Sequence, residues 1–212
     1  MSANPQRLCG AAVIVIAGLV LTGWAFSVEG FKSVFPGLTA MNPLTALLFL
    51  AAGLVLALPR GQALILPAGL LLGLMGLFRL LGYAVWDFGL DTLMFRHALE
   101  AYSPPNRMAP NTALGFLMTG LALAFLKRRE PWSAKAGQSL ALAVTGLSLF
   151  AMLGYSYRVL RFYAIGSFMP MALNTAICFA LINSAVLLAR RGEGWMACLS
   201  DTSPAMPCVP CR

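Results

Sequence analysis

The sequence predicts an all-α fold, a polytopic membrane helical bundle with six transmembrane helices arranged as three parallel two-helix repeats. Two observations set the class. Of 212 residues, 59% are hydrophobic and only 10% are charged, whereas soluble domains carry roughly 25% charged residues. Short polar breaks also divide the chain into apolar runs close to the ~20 residues that a helix needs to cross a hydrocarbon core. A third observation, a nine-residue string that recurs three times, sets the arrangement. One membrane domain, 1–196, takes up nearly the whole length and leaves a short polar tail, 197–212, so a fused soluble catalytic domain is excluded.

Six spans follow in order, at approximately 9–28, 43–59, 63–86, 109–126, 137–156 and 170–189. The first has one flanking charge, Arg7, and a weak small-x-small site at Ala25-Phe26-Ser27. Its apolar stretch is too long for a cleaved leader and reads as an anchor. The second is the shortest and stops at Leu58-Pro59-Arg60-Gly61, a turn signal that makes the second and third spans a tight hairpin. The fourth stops at Lys127-Arg128-Arg129 and the sixth at Arg190-Arg191.

Those basic stops decide orientation, because basic loops near the spans stay in the cytoplasm. With the N-terminus inside, the inner segments hold nine basic and three acidic residues, a net +6. The outer segments hold six basic residues (Lys32, Arg79, Arg96, Arg107, Arg158, Arg161) and four acidic ones, a net +2. Both termini are expected in the cytoplasm. The overall charge of +8 therefore reads as a topology signal and not as a nucleic-acid surface.

The strings Met41-Asn42-Pro43-Leu44-Thr45-Ala46-Leu47-Leu48-Phe49, Met108-Ala109-Pro110-Asn111-Thr112-Ala113-Leu114-Gly115-Phe116 and Met171-Ala172-Leu173-Asn174-Thr175-Ala176-Ile177-Cys178-Phe179 align without gaps. Gly23-Trp24, Gly82-Tyr83 and Gly154-Tyr155 echo one another near the outer ends of the odd-numbered spans. These give three repeats, approximately 8–60, 62–129 and 135–191, each entering and leaving on the cytoplasmic side and hence parallel. Within the string, Pro beside Thr or Asn suits a helix start, so Thr45, Asn111, Thr112, Asn174 and Thr175 read as structural or capping groups. Gly53 and Gly120 allow close helix approach, and Asn183, at the equivalent position, reads as an interhelical hydrogen-bonding group. Asn174 and Asn183 lie nine residues apart, on opposite helix faces, and cannot share one site.

The strings around Arg107–Phe116 and Phe168–Ala176, with Leu153-Gly154-Tyr155 before the second, resemble the N-terminal multi-span membrane sensor region of bacterial PAS-containing histidine kinases and diguanylate cyclases. The resemblance covers most of residues 35–200. It implies a sensory input module of the bacterial cytoplasmic membrane, non-catalytic by itself. Cys198–Arg212, polar and Pro-rich, departs from the family pattern, in which signalling domains follow. The family offers no catalytic residue for transfer here.

Candidates for chemistry are few. His97 is the lone histidine, without a partner for haem or metal, and Cys208-Val209-Pro210-Cys211 has the C-x-x-C spacing but no second pair. No metal and no cofactor are expected. Arg79 is the single charge inside a span, and it reads as an arginine that snorkels to the headgroups. If a ligand site exists, it lies in the outer half, where Arg79, Trp86, Tyr155, Arg158 and Arg161 could converge. The absence of Asp and Glu from the spans argues against a proton-coupled transporter. Two functions stay open: the sensory module, and a non-catalytic structural subunit packed in a larger membrane complex. The expected partners are the lipid bilayer and a protein partner or second copy within it.

Overall fold

The computed structural model describes residues 4–35, 37–58, 61–85, 89–128, 130–157 and 170–200. Among them are α1 (Pro5–Ala25), α2 (Glu29–Lys32), α3 (Pro43–Ala57), α4 (Ile65–Ala84), α5 (Arg96–Glu100), α6 (Pro110–Leu126), α7 (Pro131–Ser156), α8 (Leu173–Ala189) and α9 (Gly194–Ser200), and no strand. Helix starts follow local chemistry. Proline occupies the first helical turn of α1, α3, α6 and α7, where its missing N–H has no intrahelical partner to lose. Asn4 and Asn42 cap α1 and α3 by accepting from Gln6 N at 3.1 Å and Leu44 N at 2.9 Å.

Lengths sort these helices into two sets. Three, Pro5–Ala25, Ile65–Ala84 and Trp132–Ser156, are long and apolar enough to cross a bilayer, which supports a membrane protein. Three shorter apolar helices, α3, α6 and α8, have 15, 17 and 17 residues, about 23–26 Å at 1.5 Å per residue. The short helices are the inside of the bundle. Phe49, Phe116 and Phe179, each the seventh residue of its helix, are fully buried and meet with ring centroids 4.7–4.9 Å apart. Helices α3, α6 and α8 therefore begin at one level, and Met41, Met108 and Met171 just before them are buried too.

The long helices lie outside. Helix α1 packs on α3 and α8, α7 on α6 and α8, and α4 on α6 with a lighter contact to α3. Two of these pairings rest on glycine. A Cβ on Gly10 would lie 2.8 Å from Gly53 O, and one on Gly69 2.8 Å from Gly120 O, so only glycine permits these backbones to touch. Away from the inner trio the long helices expose apolar side chains, among them Val15 and Leu19 on α1, Leu70 and Leu74 on α4, and Leu149 and Leu153 on α7. An apolar rim of this size needs lipid or protein against it.

Several boundaries shift from the sequence expectation, as at α1, which runs Pro5–Ala25 against 9–28, and α8, which begins at Leu173 against 170; two others need a physical reason. Helix α7 starts at Pro131 and not near 137, because hydropathy does not register a helical turn that carries Ser133 and Lys135. The expected tail at 197–212 begins instead inside α9, which runs to Ser200; residues 201–212 lie outside the described residues.

Candidate functional site

The buried charged side chains Arg79, Asp91 and Lys32 lie at the end where α3, α6 and α8 begin. Each of these helices presents the carbonyl of its preceding methionine to a polar aromatic group from the neighbouring long helix. Trp24 Nε1 donates to Met41 O at 2.8 Å, Tyr83 OH to Met108 O, and Tyr155 OH to Met171 O at 2.7 Å. A buried carbonyl without a donor is costly, so each aromatic group satisfies its inner helix while its ring fills apolar space.

Around Met108 the network gains charge. Asp91 has a fully inaccessible carboxylate that pairs with Arg79 Nη2 at 3.3 Å and Arg107 Nη1 at 3.4 Å. It also accepts the Met108 N–H at 2.8 Å. Arg79 reaches Met108 O at 3.5 Å and Tyr83 OH at 3.1 Å, with its guanidinium 4.3 Å from the Tyr83 ring centre. Asn42 Nδ2 donates to Asp91 O at 3.1 Å, and Asn106 Nδ2 to Ala40 O at 2.9 Å. The Asp91 carboxylate thus joins α4, the loop after it and the start of α6, and the Asp91 backbone carbonyl, through Asn42, adds the start of α3. The cavity beside Arg79 and Asp91, walled by Leu44, Met75 and Phe78, measures about 10 Å³, room for at most one water.

Arg79 is therefore no snorkelling anchor. It is 7% exposed because a buried guanidinium is retained where a carboxylate and a carbonyl face it. The expected cluster is also redrawn. Trp86, Arg158 and Arg161 lie outside the described residues, and Arg79 and Tyr155 address different methionine carbonyls on different inner helices. The capping reading changes as well. Thr45, Thr112 and Thr175 sit buried at the third helical position. The N-caps are Asn42, which bonds Leu44 N, and Ala109 and Ala172, which offer no side-chain acceptor. Asn111 Oδ1 accepts from Thr112 N at 3.0 Å. Asn183 donates to Thr119 Oγ1 at 3.1 Å and to Phe179 O at 2.9 Å, tying α8 to α6. Asn174 donates to Lys32 O at 3.5 Å.

A second cluster was not legible in the sequence. Lys32, which reads as an outer-loop charge, is 3% exposed. Its ammonium lies 4.5 Å from the Trp24 ring centre and 2.6 Å from Glu29 Oε1, and Tyr102 OH donates to Glu29 Oε2 at 2.7 Å. Trp24 meets Tyr102 and Phe95 at 5.8 and 6.2 Å. This box latches α2 onto the loop around α5. Its hydrogen bonds, first from Lys32 and then from Tyr102, hold the Glu29 carboxyl below its ordinary value. Burial, then Glu29, push the Tyr102 phenol up. The carboxylate's lowered value stabilises the latch above ordinary carboxylate pKa values, and that stability is lost as pH falls through the lowered one. The phenol's raised value stabilises it below about pH 10, lost as pH rises through the raised one. In a variant keeping Trp24 as its sole tryptophan, emission is expected to stay constant from about pH 5 to 10 and to change only in acid below the ordinary carboxylate range; emission that changes within that ordinary range, or never changes in acid, contradicts the latch.

His97 is exposed on α5, and no group of three or more His, Cys, Asp or Glu side chains suited to a metal occurs among the described residues. Cys208 and Cys211 lie outside them. No family model, curated protein or solved structure matches this chain.

Proposed function

We propose that the chain is a six-span membrane domain built from three parallel two-helix repeats, with both termini in the cytoplasm of a bacterial cell. In this reading it serves as a sensory input module without catalysis of its own. The repeats are supported by the Phe49–Phe116–Phe179 contact, by the three aromatic-to-methionine bonds and by the matching Gly10–Gly53 and Gly69–Gly120 approaches. The three short helices span in this reading because the long helices surround them.

The observation that carries the sensory reading is the Arg79–Asp91 junction. A charged pair inside a membrane domain is expensive and marks a functional site by default. Here it ties α4, the loop after it and the start of α6 together, so a stimulus that loosens or tightens it acts on all three. The stimulus in this reading is an apolar or amphipathic molecule, or the state of the bilayer. It acts by favouring one arrangement of the outer end, since a stimulus indifferent to both shifts nothing.

Reporter fusions after Arg60, Glu130 and Trp195 are expected to be active only with a cytoplasmic reporter; a periplasmic signal at any of them overturns the topology. For function, residues 1–196 joined to a signalling domain are expected to respond to bilayer composition in the unsubstituted form and not with Arg79→Lys, which keeps the charge but not the planar fork. An Arg79→Lys chimera that responds like the unsubstituted one removes the junction from the mechanism.

One observation favours the second reading, a non-catalytic structural subunit. Helix α4 packs on α3 far more lightly than on α6, and in this reading a partner helix covers that seam. Under that reading the chain leaves native membranes in mild detergent at fixed stoichiometry with other subunits; under the sensory reading it comes alone or as copies of itself.

A further inference from the structure

At the opposite end of the bundle one side chain organises the exit of the chain. Gln138, on α7, is 2% exposed and its amide makes four bonds to backbone. Nε2 donates to Arg190 O at 3.1 Å and Glu193 O at 2.9 Å. Oε1 accepts from Trp195 N at 2.7 Å and Met196 N at 3.2 Å. A single residue thus closes the C-terminal end of α8 and the N-terminal end of α9, where backbone groups have no intrahelical partner. The turn between them is shaped to it. Gly194 has φ +61°, and a Cβ there would lie 2.5 Å from Gln138 Oε1.

Other ties hold the same corner. Trp195 Nε1 donates to Ser139 Oγ at 3.0 Å, and Arg190 Nη1 donates to Arg128 O at 3.0 Å and Ser133 Oγ at 3.1 Å. At its far end α7 holds the start of α8 through Tyr155 and Met171 O. Helix α7 is therefore bonded to both ends of α8, along about 26 Å of axis. An axial slide of α7 past α8 by more than about 1 Å would break one set of bonds or the other.

We propose that Gln138 is the joint through which α7 sets the direction of the chain leaving the bundle. Helices α7 and α8 move as one body, and α9 turns with α7 instead of swinging on the turn at 190–193. This goes beyond the sensory reading and holds equally for a structural subunit, since it concerns only how α9 is fastened to the bundle.

Cys198, exposed on α9, provides the probe. The full chain, with Cys9, Cys178, Cys208 and Cys211 replaced, is spin-labelled at Cys198 in dioleoylphosphatidylcholine vesicles. The label is expected to be immobilised in this background and several-fold more mobile with Gln138→Leu. Gln138→Glu, which keeps the acceptor but loses the donors, is expected to lie between them and to tighten in acid, where a protonated carboxyl again donates. A label as immobile in Gln138→Leu as in the background overturns the joint, as does a label already mobile in the background. Because Gln138→Leu could impair folding, a second measurement uses only the background chain. With a second label at Leu142→Cys on the exposed side of α7, the Cys198 distance distribution is expected to be narrow, and a broad one overturns the proposal.

Discussion

Asp91→Ala is expected to cost about 4 kcal/mol of stability, roughly a thousandfold in the folded-to-unfolded ratio, because removing one partner of a buried pair strands the other charge. Arg79, 7% exposed, would face Met108 O and Tyr83 OH with no carboxylate. The Met108 N–H would lose its acceptor at the start of α6. Asp91→Asn is expected to fall between the two, since an amide oxygen can still accept from Met108 but neutralises no charge. The double variant Arg79→Met with Asp91→Leu is expected to recover most of the loss, as apolar replacements of buried ion pairs commonly do. Reversible unfolding in detergent or bicelles measures all four proteins. An Asp91→Ala protein within about 1 kcal/mol of the parent would sink the claim that the pair is buried and coupled.

The second large effect is steric. An alanine methyl at Gly120 would collide with Gly69 O and the Gly73 N, and would lie 2.7 Å from Gly73 Cα. These are backbone atoms that cannot rotate away. Gly120→Ala is expected to cost about 3 kcal/mol, at the top of the overpacking range, by forcing α4 from α6. Gly146, on α7, is the internal control. A Cβ there meets nothing within 4 Å, so Gly146→Ala is expected to be neutral or to stabilise by about 0.5–1 kcal/mol through helix propensity. Equal effects at the two positions would show that α4 and α6 do not approach to backbone contact.

These two sites differ in how far they could be read without coordinates. Gly120 stands out in the sequence because the motif aligns it with Gly53, and a small residue at a repeated place in an apolar helix implies close packing. Asp91 could have been suspected, since a lone arginine in a span needs a partner and acids in the adjoining loop are within reach. Its sequence position says only that it is in a loop, and loop acids are ordinarily solvated. Lys32 and Gln138 carry no such signal. A lysine three residues after a glutamate reads as a surface pair, and nothing in the sequence brings Trp24 and Tyr102 together beside it.

The sequence by itself determined the all-helical class, the six apolar segments, the three-fold recurrence of the motif and its glycine positions. These are local quantities: apolar run length, basic stops and spacing along one chain. Tertiary structure decided that the short helices lie inside, with Phe49, Phe116 and Phe179 in contact. It also turned Arg79 from a headgroup anchor into half of a buried pair and made Gln138 the corner between three helices. The physical reason is the same in each case. Hydropathy records how much a segment avoids water, whereas the partner of a buried polar group is set by which distant segment is folded against it, and that is written in no single window of sequence.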